Sequence, residues 1–176
     1  MGRRPVPAPA RPVDDDPAAP RFTRVVAVLV GLENYRKPKS GDALPSVAYA
    51  HSDADAVSEA VLEIFKNLPA SDVEIEVMTD ADASLVAVQD HLAYTIRNLS
   101  ADDLFIFYYA GHGFHGAGGN RLSTYDTNRL NIADTTLSMR DALLEPLSQS
   151  ACEQGLIFID ACAEHFRDVV QSRDVI

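Results

Sequence analysis

Three short runs of β-branched and aromatic residues constrain this chain most: residues 25–30 (VVAVLV), 104–109 (LFIFYY) and 156–159 (LIFI). Each is unbroken by polar residues and reads as a strand; residues 25–30 are of the kind covered on both faces, and 104–109 are the strongest strand in the chain. Between them lie amphipathic stretches. After Ser52, a candidate N-cap, Val57, Val61, Leu62, Ile64 and Phe65 recur at helical spacing, and after Ser84 so do Leu85, Val88, Leu92, Tyr94, Ile96 and Leu99. Residues 73–78 alternate Val and Ile with Glu74 and Glu76, the pattern of a half-exposed strand, and residues 138–147 form a third helical stretch. Strand alternating with helix predicts an α/β fold, with a mostly parallel sheet and crossover helices on both faces.

The periodicity begins only at Arg24. Residues 1–23 are dominated by Pro and Ala and read as a tail or linker. The 176 residues suffice for one core that buries roughly 70% of the unfolded surface, without disulfide staples. Residues 1–24 carry five Arg and three Asp, which leaves ten basic and 23 acidic residues, a net charge of −13, in residues 25–176. Such a surface argues against tracking nucleic-acid phosphates and favours cationic partners. No stretch approaches the ~20 apolar residues of a membrane span, and the amino terminus lacks a signal-peptide core. With two cysteines, a cytoplasmic, reducing location is expected.

In parallel sheets, reactive groups collect at the carboxyl ends of strands. Here the run 104–109 is followed by Gly111, His112 and Gly113, and the run 156–159 by Asp160, Ala161 and Cys162. A thiol becomes a good nucleophile when an imidazole takes its proton, so His112 and Cys162 form a candidate dyad. Other readings of the same segments are weaker. Gly111, Gly113 and Gly116 match a dinucleotide fingerprint, but a turn sequence follows where a helix should open. His112 and His115 lack further zinc ligands at the usual spacing, and His115 reads as a loop residue. Cys152 reads as packing before a buried strand, His51 and His91 as surface or satisfied groups, and Asp102 with Asp103 as a solvated turn.

The segments Tyr108, Tyr109, Ala110, Gly111, His112, Gly113 and Ile157, Phe158, Ile159, Asp160, Ala161, Cys162 resemble the paired motifs of the caspase and metacaspase clan of cysteine peptidases. So do residues 25–31, Asn34 with Tyr35, and the helix entry around His51, Ser52 and Asp53, over roughly residues 24–168. The resemblance implies a three-layer caspase-like fold. It makes Cys162 the nucleophile and His112 the general acid/base, with the backbone N–H groups of Gly113 and Cys162 as an oxyanion hole. Where animal caspases carry Gln, this chain has Asp160. In metacaspases that Asp and one at the first-helix entry, here Asp53 with Asp55 as the competing register, line a pocket for Arg, then Lys, at P1.

The same resemblance makes residues 24–168 a large-subunit catalytic domain and residues 169–176 the start of an activation linker, with Ser172, Arg173 and Asp174 at the processing position. It implies a zymogen activated by proteolysis, partnered by the small-subunit part of its precursor and by an activating protease. The alternative is a catalytically silent interaction or scaffold domain. Asp126 is expected to be structural. No cofactor is expected; metacaspases often depend on calcium, and no ligand set for it is evident.

Overall fold

The computed structural model describes residues 22–39, 43–116 and 118–165, the last three for their backbone only. The expectations placed on residues 1–21 and on the linker at 169–176 lie outside these residues.

Four parallel strands form the main sheet: β1 (Arg24–Gly31), β2 (Val73–Thr79), β3 (Asp103–Ala110) and β7 (Gln154–Asp160), in the order β2-β1-β3-β7. Helix α1 (Ala50–Ile64) joins β1 to β2, and α2 (Leu85–Arg97) joins β2 to β3. A second, smaller sheet is built from β4 (Gly113–Gly116), β5 (Gly119–Leu122), β6 (Leu137–Ser138) and β8 (Ala163–His165). The short helix α3 (Ile132–Thr135) precedes β6. A π-helical turn (Arg140–Leu144) runs directly into α4 (Glu145–Gln149).

Residues alternate between two cores because successive strand side chains face opposite ways. Val25, Ala27, Leu29, Leu104, Ile106 and Tyr108 pack with Ala54 and Val61 of α1. Val26, Val28, Val30, Phe105, Phe107 and Tyr109 pack with Val88, Leu92 and Ile96 of α2 and with Leu143. These are the crossovers on both faces that the alternation of elements predicts. Ser84 caps α2, its hydroxyl accepting from the Ala87 N–H.

Several local expectations change. Helix α1 begins two residues before Ser52, after Tyr49 in the left-handed conformation, and Ser52 donates to the Tyr49 carbonyl instead of capping. Asp103 is not solvated: it is 2% exposed and takes a bidentate bond from Arg24, at 2.9 and 2.7 Å, which ties the starts of β1 and β3. That guanidinium outweighs burial and holds the Asp103 carboxyl below its usual range. His115 lies in β4, within reach of Asn120 across the β4–β5 hairpin. The strand at 156–159, expected to be buried, is the open edge of the sheet, with Leu156 44% and Phe158 51% exposed. Its apolar run suits a position covered on both sides. Among the described residues only Ile157 packs into a core, and the outward side meets nothing.

Candidate active site

Strands β3 and β7 end together, with Ala110 opposite Asp160. Beyond this pair the two backbones stay side by side, and Gly113 faces Ala163 where β4 and β8 begin. Each residue therefore faces the one fifty places later on both sides of a short gap, and the gap holds His112 and Cys162. Gly111 N–H donates to Asp160 O at 3.2 Å, and Gly113 N–H donates to Cys162 O at 3.1 Å. Close approach explains both glycines. A Cβ on Gly111 would lie 2.5 Å from the Tyr109 hydroxyl, and one on Gly113 would lie 2.9 Å from the Cys162 carbonyl oxygen.

His112 is held at several points. Its Nε2 lies 2.9 Å from Pro45 O. A carbonyl only accepts, so Nε2 carries the proton and Nδ1 of the neutral ring is left as the base. The Tyr35 ring packs against the imidazole with centroids 5.3 Å apart, and the Tyr35 hydroxyl accepts the His112 N–H at 3.2 Å. The His112 carbonyl accepts from the Tyr109 hydroxyl and from Ser123 N–H, both at 2.9 Å. Burial pushes the phenols of Tyr35 and Tyr109 up, which keeps them neutral donors and acceptors. Sequence reasoning missed Pro45 and Ser123 because neither lies near His112 in the chain. The Asn34-Tyr35 pair entered only as part of a resemblance.

The other candidates gather on the α1 side of the edge. Leu156 and Phe158 point toward α1, since both line a trough with its Val57 and Val61. Strand alternation places Asp160 on the same side. Asp53 lies half-buried in the first turn of α1. Burial raises the Tyr108 phenol, and the charges of Asp53 and Asp160 add to the rise, so both carboxylates act on one hydroxyl. Asp55 is exposed and has no such effect on Tyr108. Cys162 is a free, exposed cysteine; Cys152 is half-buried, its thiol facing the carbonyls of Asp103 and Gln154.

One expectation is altered. The Gly113 N–H, assigned to an oxyanion hole, is already bonded to Cys162 O because the ladder continues through it. A second polar cluster braces the neighbouring loops. Asp80 accepts from Glu33 N–H, Asn34 N–H and the Asn34 amide, and from His51 Nε2 at 2.9 Å. Burial alone would raise the Asp80 carboxyl, but these donors hold it at about 2. Asp126 accepts from Leu85 N–H and Thr124 Oγ1, a bracing role at the start of α2. Among the described residues no three His, Cys, Asp or Glu side chains are arranged to hold a metal ion, and no helix is long and apolar enough to cross a membrane.

A parallel sheet with helices on both faces, its open edge delivering a cysteine opposite a carbonyl-oriented histidine, defines the caspase class of α/β fold. A family model for the caspase domain matches residues 24–175, and the chain belongs to that peptidase family. A solved protein from Geobacter sulfurreducens is similar over 81% of this chain and 52% of its own, with TM-score 0.62 and 19% identity. Pro-sf-caspase-1 is similar over all of this chain and 59% of its own, with TM-score 0.54 and 19% identity. The chain thus spans little more than half the length of these solved relatives. A comparison with curated protein sequences finds no match.

Proposed function

We propose that this chain carries the catalytic large-subunit part of a caspase-like cysteine endopeptidase that cleaves after a basic residue, Arg before Lys. The observation that carries the reading is the continued ladder, in which His112 faces Cys162 while Pro45 O accepts a hydrogen bond from His112 Nε2–H. His112 Nδ1 accepts the Cys162 proton, the thiolate attacks the scissile carbonyl, and the imidazolium returns the proton to the leaving amine. Water then hydrolyses the thioester with His112 as base. The oxyanion needs N–H donors. Gly113 supplies one only after releasing Cys162 O, which supports a zymogen that rearranges on activation.

Asp53 and Asp160, both acting on the Tyr108 hydroxyl, favour a guanidinium at P1 and repel a carboxylate there. The open β7 edge supports a partner. Leu156 and Phe158 line an apolar trough of about 400 Å³ with Val57, Val61, Ile106 and Tyr108, a surface that a C-terminal remainder of the precursor would cover. Calcium dependence is a question for metal titration.

A fluorogenic panel on the complete, activated protein tests the reading. Arg-P1 substrates should turn over, Asp-P1 substrates should not, and Cys162→Ala should abolish turnover. Hydrolysis of Asp-P1 alone sinks the pocket, full activity of Cys162→Ala sinks the dyad, and failure of an Arg-based irreversible inhibitor to label Cys162 favours a silent scaffold.

A further inference from the structure

The β1–α1 loop that packs Tyr35 against His112 continues into a charged cavity of about 500 Å³ that the catalytic reading leaves unused. Arg36, Lys37 and Lys39 form one wall, and Asn128 and Thr135 face them beside Asp126. Asp126 lines the same cavity, its Oδ1 accepting from Leu85 N–H and Thr124 Oγ1, and its single negative charge offsets one of the three cations, leaving the wall with an excess of positive charge. The Asn128 Oδ1 accepts from Leu130 N–H, which leaves its amide NH2 as a donor. Arg36 N–H donates to Tyr125 O at 2.8 Å and pins the loop. The three cationic side chains are exposed, and among the described residues none forms an ion pair. Three like charges within four residues repel one another until an anion enters between them. In a chain of net charge −11 this cluster stands apart from the acidic surface around it.

We propose that this cavity binds an acidic side chain of the polypeptide substrate, on the C-terminal side of the bond that is cut. The inference rests on the endopeptidase reading and extends it. His112 hands its proton to the leaving amine, so the departing segment lies over His112, away from Cys162. Tyr35 packs on the imidazole, and the next residue, Arg36, opens the cationic wall. An extended peptide advances roughly 3.3 Å per residue, so the position after the cleaved bond whose side chain meets the cavity is found by scanning the first four. The substrate class is then a dipolar segment, basic before the scissile bond and acidic shortly after it. Asp53 and Asp160 receive one end, and Arg36, Lys37 and Lys39 the other.

The test uses the full-length Cys162→Ala protein and dye-labelled peptides with Arg before the scissile position and Glu, or isosteric Gln, at each of the next four positions. The Glu peptide at the preferred position should bind about tenfold more tightly than its Gln twin at low ionic strength, and the difference should shrink with salt. In Lys37→Ala/Lys39→Ala the Glu/Gln ratio should fall to about one. Equal binding of the twins overturns the proposal, as does a ratio that survives the double variant. Binding of millimolar inorganic phosphate that needs the two lysines, with no Glu/Gln difference, reassigns the cavity to a free anion and overturns it as well. Wild-type protein that fails to cleave Arg-P1 fluorogenic peptides lacking any residue after the bond sinks the endopeptidase reading separately, while the binding ratio still decides the cavity.

Discussion

His112 faces Cys162 in the same fifty-residue register that pairs Ala110 with Asp160 and Gly113 with Ala163. Two loop residues fifty positions apart are thereby set between rigid strand pairs, and neither depends on a flexible connection to find the other. Orientation of the imidazole comes from a third place in the chain, the β1–α1 loop with Pro45 and Tyr35.

Tyr35→Phe keeps the ring that packs on His112 but removes the hydroxyl that accepts the His112 N–H and the Ser123 Oγ proton. The fold should survive with about 1 kcal/mol less stability. On an Arg-P1 substrate kcat should fall about tenfold with KM little changed, since the loss acts on the placement of the base. Unchanged kcat would show that Pro45 O orients the ring unaided.

Gly113→Ala puts a Cβ 2.9 Å from Cys162 O. Backbone cannot yield as a side-chain tip does, so the two segments must part. Because the proposed active state has already released this contact, turnover of the activated protein should stay within a few-fold of wild type, with far-ultraviolet circular dichroism close to wild type. A loss of about a hundredfold would mean that the catalytic state keeps the Gly113–Cys162 contact.

Asp80 is held at about 2 in the folded protein, below its ordinary value of 3.8. A depressed carboxyl stabilises the fold above its unfolded value and loses that contribution as the pH falls toward the folded one. Asp80→Asn should therefore cost about 1 to 2 kcal/mol at neutral pH, a difference that closes between pH 4 and pH 2 in denaturant titrations. A gap that persisted at pH 2 would show that the loss comes from the fit of the amide and not from the charge of the carboxylate.

Asp103→Ala removes the acceptor of the two Arg24 bonds at the starts of β1 and β3. Arg24 is 32% exposed and regains water, so the expected loss is roughly 2 kcal/mol in chemical denaturation. A change within a few tenths of a kcal/mol would make the pair a matter of register alone.

Asp160→Asn and Asp53→Asn should each lower the Tyr108 phenol toward its ordinary value, followed by NMR of labelled tyrosine, because each removes a charge that raises it. In both variants kcat/KM for Arg-P1 peptides should fall by tenfold or more, while Cys162 still alkylates. A Tyr108 titration that moves in one variant only would break the paired-carboxylate pocket.

Hydrophobic period and chain order by themselves determined the α/β class, the two faces covered by α1 and α2, and the placement of a histidine and a cysteine at strand ends. Those features are local, since apolar spacing sets each element and the right-handed crossover sets its side of the sheet. Tertiary structure alone decided the rest. The sheet order β2-β1-β3-β7 made the two strand ends neighbours and left an apolar strand as the edge. It also buried Asp103 against Arg24, brought Pro45 O to the imidazole, and engaged Gly113 N–H with Cys162 O. Each of these is a contact between residues far apart in sequence, made through backbone groups or charges that carry no period. No pattern along the chain encodes them, and only the register of the folded strands does.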